Sequence, residues 1–219
     1  MVPAMTQAGW RVVTVGREYG SGGAAVAGAL AARLGFQLLD RKLIEQIARA
    51  AHIDPALAER LDEHVDSWAA RVARALRFGP FEAVSPVGGE EILDAHRLQA
   101  LTAAVIEEAA QAGGCVIVGR GAQCLLQGRA DVFHVFVYAP REERARRLRE
   151  RLGPGADVEF ALDEVDRERA AYTRRYFNEN RLDPHLYHLM VNAAMGEDAA
   201  VSTILTALET GAQAPARTP

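Results

Sequence analysis

An α/β fold built on a mostly parallel sheet is what the sequence predicts, and two observations carry it. Apolar, β-branched runs at 11–16, 36–39, 115–119, 132–138 and 187–192 alternate with helical stretches. A glycine-rich turn joins the first of these runs to an alanine-rich helical segment, the usual opening of a strand–helix–strand unit. Each crossover between parallel strands must traverse the sheet, so this alternation covers both faces with helices.

The elements follow in order. After the strand at 11–16 and the turn, residues 23–34 are rich in Ala and Leu, good helix formers, and Gly35 stands where the helix should end. The second strand closes on Asp40. A long insertion follows: "DRKLIEQIARAAH" is helical, then "DPALAERLDEHVDSWAARVARAL" repeats Leu57, Leu61, Val65, Trp68, Val72 and Leu76 at steps of three or four. That stripe is either ordinary core packing or a partner face, and the 55–76 helix is the candidate contact of a homodimer. Pro80, Pro86 and Gly88-Gly89 mark a flexible connection. The domain organisation expected is a flexible N-terminus at 1–10, one domain at 11–206 with its insertion at 41–97, and a disordered tail at 207–219.

Composition limits the function. The chain is 49% hydrophobic and 25% charged with no apolar run long enough to cross a bilayer, which argues against a membrane role. "MVPAMTQAGWR" has no basic stretch followed by an apolar core, so no signal peptide is read there. Two cysteines, Cys115 and Cys124, make neither a disulfide framework nor a four-ligand zinc pattern and fit a reduced cytoplasmic setting. Six histidines show no metal-ligand spacing, so no metal site is expected, and no G-x-S-x-G occurs; zinc and serine-hydrolase chemistry lose ground. A net charge of −4 argues against a general surface for nucleic acid polymers. An anion site must come from local arginines and backbone amides.

The glycine turn admits two functional readings. Gly20-Ser21-Gly22-Gly23-Ala24-Ala25 satisfies G-x-G-x-x-[GA], and Asp40 closes the next strand, as in a dinucleotide fold; yet Gly16, Arg17, Glu18 and Tyr19 intervene after Val15. The longer loop suits a phosphate wrap, in which successive N–H groups and a helix N-terminus converge on an anion. Against G-x-x-x-x-G-K-[ST], Gly22 takes the second glycine position. Arg17 stands where the first glycine belongs, Gly23 where the lysine belongs and Ala24 where the magnesium-binding hydroxyl belongs.

Arginines supply the remaining charge. Arg120, between Gly119 and Gly121, ends a buried strand, where ligands of open α/β sheets bind. After Pro140, Arg141, Arg144, Arg147 and Arg151 recur at helical spacing; they form either a solvent-facing charged helix or a lid that meets a transferring phosphoryl group. "DEVDRERAAYTRRYF" sets Asp166 and Arg169 on one helix face, to pair or to bind a polar ligand edge.

On "GREYGSGGAAVAGALAARLG", "LLDRKLIEQIA", "VIVGRGAQCLL", "VFVYAPREERARRL", "VDRERAAYTRRYF" and "DPHLYHLMVNAAMG", which run in family order, the chain resembles the cytidylate kinase-like family of nucleoside monophosphate kinases. The resemblance implies a three-layer P-loop kinase-like fold: a five-stranded parallel core, a helical NMP-binding insertion and a short lid region at about 141–175. It implies phosphoryl transfer from ATP with Mg2+ to CMP or dCMP. It implies that Gly20, Ser21, Gly22, Gly23 and Ala24 wrap the ATP phosphates, and that Asp40, Arg41, Arg120, Asp166 and Arg169 bind the acceptor. Arg144 and Arg147 would serve the lid. Cytidylate kinases carry D-G-R-D where this chain reads Val118-Gly119-Arg120-Gly121, so both flanking acids are missing. With the loop lysine absent, Arg17 or a lid arginine is expected to supply the positive charge. The alternative is a nucleotide-binding regulatory module of the same fold with weak catalysis. A nicotinamide-dependent oxidoreductase rests on the glycine regex and Asp40 alone.

Overall fold

The computed structural model describes residues 9–40, 42–44 and 95–211. Two compact units are present, one formed by Met1–Leu38 with Gly113–Pro219 and the other by Leu39–Ala112. Strands β1 (Val12–Arg17), β2 (Gln37–Leu39), β3 (Cys115–Val118), β4 (Val132–Tyr138) and β5 (Leu189–Asn192) make one sheet in the order β2-β3-β1-β4-β5. β1 pairs in parallel with both β3 and β4, and β4 in parallel with β5. The predicted α/β class is therefore present. Because β1 sits centrally and is covered on both faces, Val12, Val13, Thr14 and Val15 are all buried rather than alternating in and out.

Helix α1 (Gly23–Leu34) has the bounds its composition predicts and ends on Gly35, whose N–H reaches the Ala31 and Ala32 carbonyls. Its Val26, Ala27, Leu30 and Ala31 stripe packs with Val13, Val15, Val116 and Val118 of the sheet. Residues 42–44 are helical, and α2 (Ala95–Ala112) buries Leu101, Val105, Ile106 and Ala109; both belong to the second unit. The short α3 (Ala122–Leu125) follows β3. Helices α4 (Arg141–Leu152) and α5 (Val158–Phe177) pack through Ala145, Leu148, Val158 and Leu162, with Tyr19 laid against that cluster. This small core holds α4 and α5 to the turn after β1. Helix α6 (Glu197–Thr210) adds Ala200, Val201, Ile204 and Leu208 to the main core.

Several boundaries differ from expectation. Trp10, assigned by sequence to a flexible N-terminus, is 1% exposed, with its ring edge-on to Phe133 and His188. Its aromatic surface is large enough to be drawn into the core whatever the polarity of its neighbours. The last helix runs to Thr210, past the expected domain end at 206, because Leu208 completes its buried stripe. β5 begins at Leu189; a 3-10 turn at Pro184–Leu186, capped by the Asp183 carboxylate, precedes it. The stripe from Leu57 to Leu76 with its dimer role, the Pro80 to Gly89 connection, Arg41, residues 1–8 and residues 212–219 lie outside the described residues. No helix among the described residues is long and apolar enough to cross a membrane.

One polar pair lies in the core. The Thr14 hydroxyl and His134 Nδ1 are 2.7 Å apart, and the His134 N–H donates to His188 Nδ1 at 3.0 Å. Burial, reinforced by His188, pushes the His134 imidazole down to about 3. The unfolded chain takes up a proton at this residue below about 6.5 while the folded chain does not until about 3. Stability contributed here is therefore complete above 6.5 and lost on acidification, by about 1.4 kcal/mol per pH unit within that window. Urea midpoints at pH 7 and pH 4.5 should differ less for His134→Gln than for the wild type; equal acid losses would remove His134 as the source.

Candidate active site

The turn between β1 and α1 is shaped by where its carbonyl groups point. The Arg17 carbonyl accepts from Arg169 Nη1 at 3.0 Å and from Arg181 Nη2. The Tyr19 carbonyl accepts from Arg144 Nη1 at 3.2 Å, and the Ser21 carbonyl from Arg147 Nη1 at 2.5 Å. The Glu18 carbonyl takes the Ser21 hydroxyl at 2.9 Å. Four successive oxygens or near neighbours along the loop are thus turned onto donors. Gly20 and Gly22 hold positive φ values of 78° and 84°, and they also make room: a Cβ at Gly20 would lie 2.9 Å from the Arg144 carbonyl, and one at Gly22 would lie 2.8 Å from Arg147 Nη1.

At the helix end of the turn the N-cap is Gly22, which has no side chain to cap α1; Ser21 Oγ accepts the Gly23 N–H at 3.3 Å, and no intrahelical carbonyl can reach the amides of the first turn. Such an end binds anions through its N–H groups and its positive dipole. Within the loop the N–H groups of Glu18, Tyr19, Ser21 and Gly23 are bonded to the Val137 carbonyl, the Asp166 carboxylate, the Glu18 carbonyl and Ser21 Oγ, so the anion donors are the remaining amides at Gly20, Gly22 and the first turn of α1.

Asp166 is the common anchor of Arg144, Arg169 and Arg181. Its carboxylate accepts from the Tyr19 N–H at 2.9 Å, Arg144 Nη1 at 2.7 Å and Arg181 Nη1 at 3.1 Å, with Arg169 Nη1 at 3.6 Å. Glu18 adds a second carboxylate, 3.5 Å from Arg144 Nε and accepting the Ala139 N–H at 3.1 Å. Arg144 and Arg181 are 9% and 7% exposed, so both guanidiniums depend on these oxygens for compensation. Arg147 also spans from Glu143 to the Ala193 carbonyl, at 2.8 Å and 2.7 Å. On the outer side Arg151 donates to the Tyr19 hydroxyl at 3.0 Å.

All the site residues named from sequence except Arg41, which lies outside the described residues, can now be placed. Arg17, Gly20, Ser21, Gly22, Gly23, Ala24, Arg144, Arg147, Asp166 and Arg169 all belong to the loop or its clamp. Arg144, Arg147 and Arg169 reach loop carbonyls, so their guanidiniums lie on the loop's carbonyl side. The other α4 arginines divide from these: Arg141, Arg146 and Arg149 pair on the surface with Glu159, Asp163, Glu143 and Glu150. Arg146's hydrogen bond is the main cause holding the Glu143 carboxyl down at about 2. The solvent-facing reading thus describes Arg141, Arg146 and Arg149, whereas Arg144 and Arg147 hold loop carbonyls. Asp40 lies in the second unit, where its Oδ1 caps a helical turn by accepting the Leu43 N–H at 2.8 Å.

Arg120 follows β3 at the carboxyl end of the sheet. Its φ of 55° is flanked by φ values of 78° at Gly119 and 71° at Gly121, three left-handed residues in succession. A non-glycine residue held there costs roughly 1–2 kcal/mol. Its guanidinium lies 5.8 Å from the centre of the Tyr172 ring, and Phe177 packs where a side chain at Gly121 would stand.

Sequence reasoning missed Arg181, Glu18 and Tyr19. Arg181 lies outside the periodic arginine runs, in "NENRLDPH", and nothing local marks it as buried. Glu18 and Tyr19 were legible only as loop filler. At the position where a P-loop hydroxyl would meet magnesium, Ala24 presents a methyl group, and Ser21 Oγ is engaged with the loop backbone. The loop side chains do not fit a protein-held magnesium ion there. Among the described residues no group of three His, Cys, Asp or Glu could hold a metal.

A parallel sheet with a clamped glycine loop at the carboxyl end of its central strand defines an α/β protein of the P-loop kinase-like fold. The chain belongs to the cytidylate kinase-like family, whose model matches residues 12–194. Among solved structures it is similar to an uncharacterized protein from Eubacterium ventriosum, with a TM-score of 0.66 and 20% identity over 91% of this chain and 98% of that one. It is also similar in fold to shikimate kinase from Bacteroides thetaiotaomicron, with a TM-score of 0.51 and 15% identity over 90% of this chain and 98% of that one. No curated protein matches the sequence.

Removing the anchor should be costly. Asp166→Ala leaves Arg181 without its carboxylate and Arg144 with Glu18 alone, and should destabilise the protein by about 3 kcal/mol, read from urea unfolding. A loss below about 1 kcal/mol would show that Glu18 and the loop carbonyls satisfy these arginines without Asp166. Arg120→Gly should do the opposite, raising stability by about 1 kcal/mol through relief of the left-handed backbone. A fall in stability would mean that the contact with Tyr172 outweighs the strain.

Proposed function

We propose that the protein is a nucleoside monophosphate kinase that transfers the γ-phosphoryl group of MgATP to CMP, dCMP or a related nucleotide. The observation that carries this reading is the arginine-clamped glycine loop at the sheet's carboxyl end, in a chain whose family is cytidylate kinase-like. Phosphoryl transfer requires little covalent chemistry from the protein; it needs the phosphates positioned and the developing charge spread. Fixed loop amides and the α1 N-terminus serve the first need for the donor. Arg17 and Arg120, both at the sheet's carboxyl end, serve the second. Arg144, Arg147, Asp166 and Arg169 act on the transferring group by fixing the loop that holds it. Asp40 and Arg41 are assigned to the acceptor by family likeness. The loop supplies no hydroxyl at Ala24, so no protein ligand is assigned to the magnesium of MgATP there.

ADP formation from MgATP, measured against CMP, dCMP, UMP, AMP, GMP and shikimate with an acceptor-free control, tests the reading. Turnover confined to CMP and dCMP is the expected result. No acceptor-dependent turnover despite nucleotide binding by calorimetry would replace the kinase by a nucleotide-binding regulatory module. Turnover with shikimate in place of nucleotides would move the acceptor class.

A further inference from the structure

Two departures from the phosphate-loop pattern, Arg17 for glycine and Gly23 for lysine, sit six positions apart in sequence and in contact in space. A Cβ built on Gly23 would lie 2.6 Å from the Arg17 Cβ, 3.1 Å from its Cγ and 3.2 Å from the Val137 Cβ. The first is a distance that real Cβ atoms essentially never show. Neither the Arg17 Cβ nor the Val137 Cβ is the far end of a flexible chain; each is fixed to a strand of the central sheet. Positions 17 and 23 therefore exclude one another, and only one can bear a side chain without the sheet or α1 moving. The familiar pattern places glycine first and lysine second. This chain places them the other way round.

The path of the Arg17 side chain completes the argument. It leaves β1 beside Gly23 and ends against β3, where a Cβ at Gly119 would stand 2.0 Å from Nη1 and 3.1 Å from Cζ. The guanidinium thus crosses from the start of α1 to the carboxyl end of β3, the crevice in which open α/β sheets bind ligands. Gly23 and Gly119 are the two walls of its channel. Arg17 itself is anchored by its backbone, whose carbonyl takes Arg169 and Arg181.

We infer that Arg17 and Gly23 are a reciprocal exchange of the phosphate-loop glycine and lysine, and that the Arg17 guanidinium, lodged between Gly23 and Gly119, is the loop's phosphate-binding cation. The inference rests on the nucleotide-binding part of the proposed function and not on the identity of the acceptor. Arginine suits the longer reach, because its planar fork can hold two phosphate oxygens and never loses its charge.

The experiment compares wild type with Arg17→Met, Arg17→Lys, Gly23→Lys, Arg17→Ala/Gly23→Lys and Arg17→Gly/Gly23→Lys. MgADP affinity is read by calorimetry, folding by thermal melting and turnover by ADP release. Arg17→Met keeps the stem in its channel and removes the charge, so MgADP affinity should fall about tenfold or more with little change in melting. Arg17→Lys should recover part of it. Gly23→Lys and the alanine double variant should melt below wild type, since each sets one Cβ against another. The glycine double variant, free of that collision, should melt above the alanine one and bind MgADP within about threefold of wild type, less than 1 kcal/mol on the tenfold scale.

Unchanged MgADP affinity in Arg17→Met would overturn the inference, as would a wild type that binds no MgADP. So would an alanine double variant that folds and binds as well as the glycine one. If the wild type binds MgADP through Arg17 but phosphorylates no acceptor, the kinase reading fails and the exchange stands. If acceptor-dependent turnover persists undiminished in Arg17→Met, the exchange fails and the kinase reading stands.

Discussion

The candidate site depends on one constraint: a half-buried carboxylate, Asp166, must compensate arginines that in turn hold the carbonyl groups of the β1–α1 loop. A glycine-rich segment has many accessible conformations, and fixing each residue costs roughly 1–2 kcal/mol of backbone entropy. A loop left to itself would not keep its amides aimed at one point. Here Arg144, Arg147, Arg169 and Arg181 each take a carbonyl oxygen, which fixes the peptide planes and so the N–H directions. The Tyr19 N–H, bonded to the same Asp166 carboxylate, closes the arrangement from the loop side.

Helix α4 is therefore amphipathic in function as well as in packing. Ala145 and Leu148 meet Val158 and Leu162 in a small apolar core, and this brings Arg144 and Arg147 under the loop. Arg141, Arg146 and Arg149 point to solvent and pair with carboxylates there, where an ion pair contributes little to stability. The same residue type at neighbouring positions does two kinds of work, separated by burial. Gly20 and Gly22 belong to this design, since a side chain at either would strike the helix or its arginine.

The fold was legible in the sequence because its signals are local and repeated. Five apolar runs gave five strands, and an alanine-rich stretch before Gly35 gave α1 with its bounds. In the candidate site the glycine loop and the arginine runs were visible as residues, since charge at helical spacing shows in one dimension, but Asp166, read from sequence with the acceptor, anchors loop-holding arginines instead. What escaped was long-range in sequence. Arg181 reaches Asp166 and the Arg17 carbonyl from a segment with no periodicity of its own. Trp10 looked terminal, yet its ring is held by Phe133 and His188, far along the chain. Arg17 and Gly23 were each visible as departures from a motif, but their mutual exclusion is a statement about Cβ positions that no linear pattern contains.

That exclusion changes how a degenerate loop should be weighed. Scored position by position, Arg17, Gly23 and Ala24 are three separate losses, and a loop with three losses reads as inactive. Scored as a volume, the first two are one event, in which the space and the charge that the pattern assigns to position 23 are transferred to position 17. The charge around the loop is not depleted: Arg17, Arg144, Arg147, Arg169 and Arg181 surround it against Glu18, Asp166 and Glu143, in a chain whose net charge is −4. A local excess of cations in a net-acidic protein focuses anions onto one place. Ala24 is a loss of a different kind, because a methyl group offers magnesium nothing and the nearby Ser21 hydroxyl is engaged with the loop backbone. What the loop retains is a guanidinium and backbone amides, and these are donors suited to phosphate oxygens rather than to a metal ion.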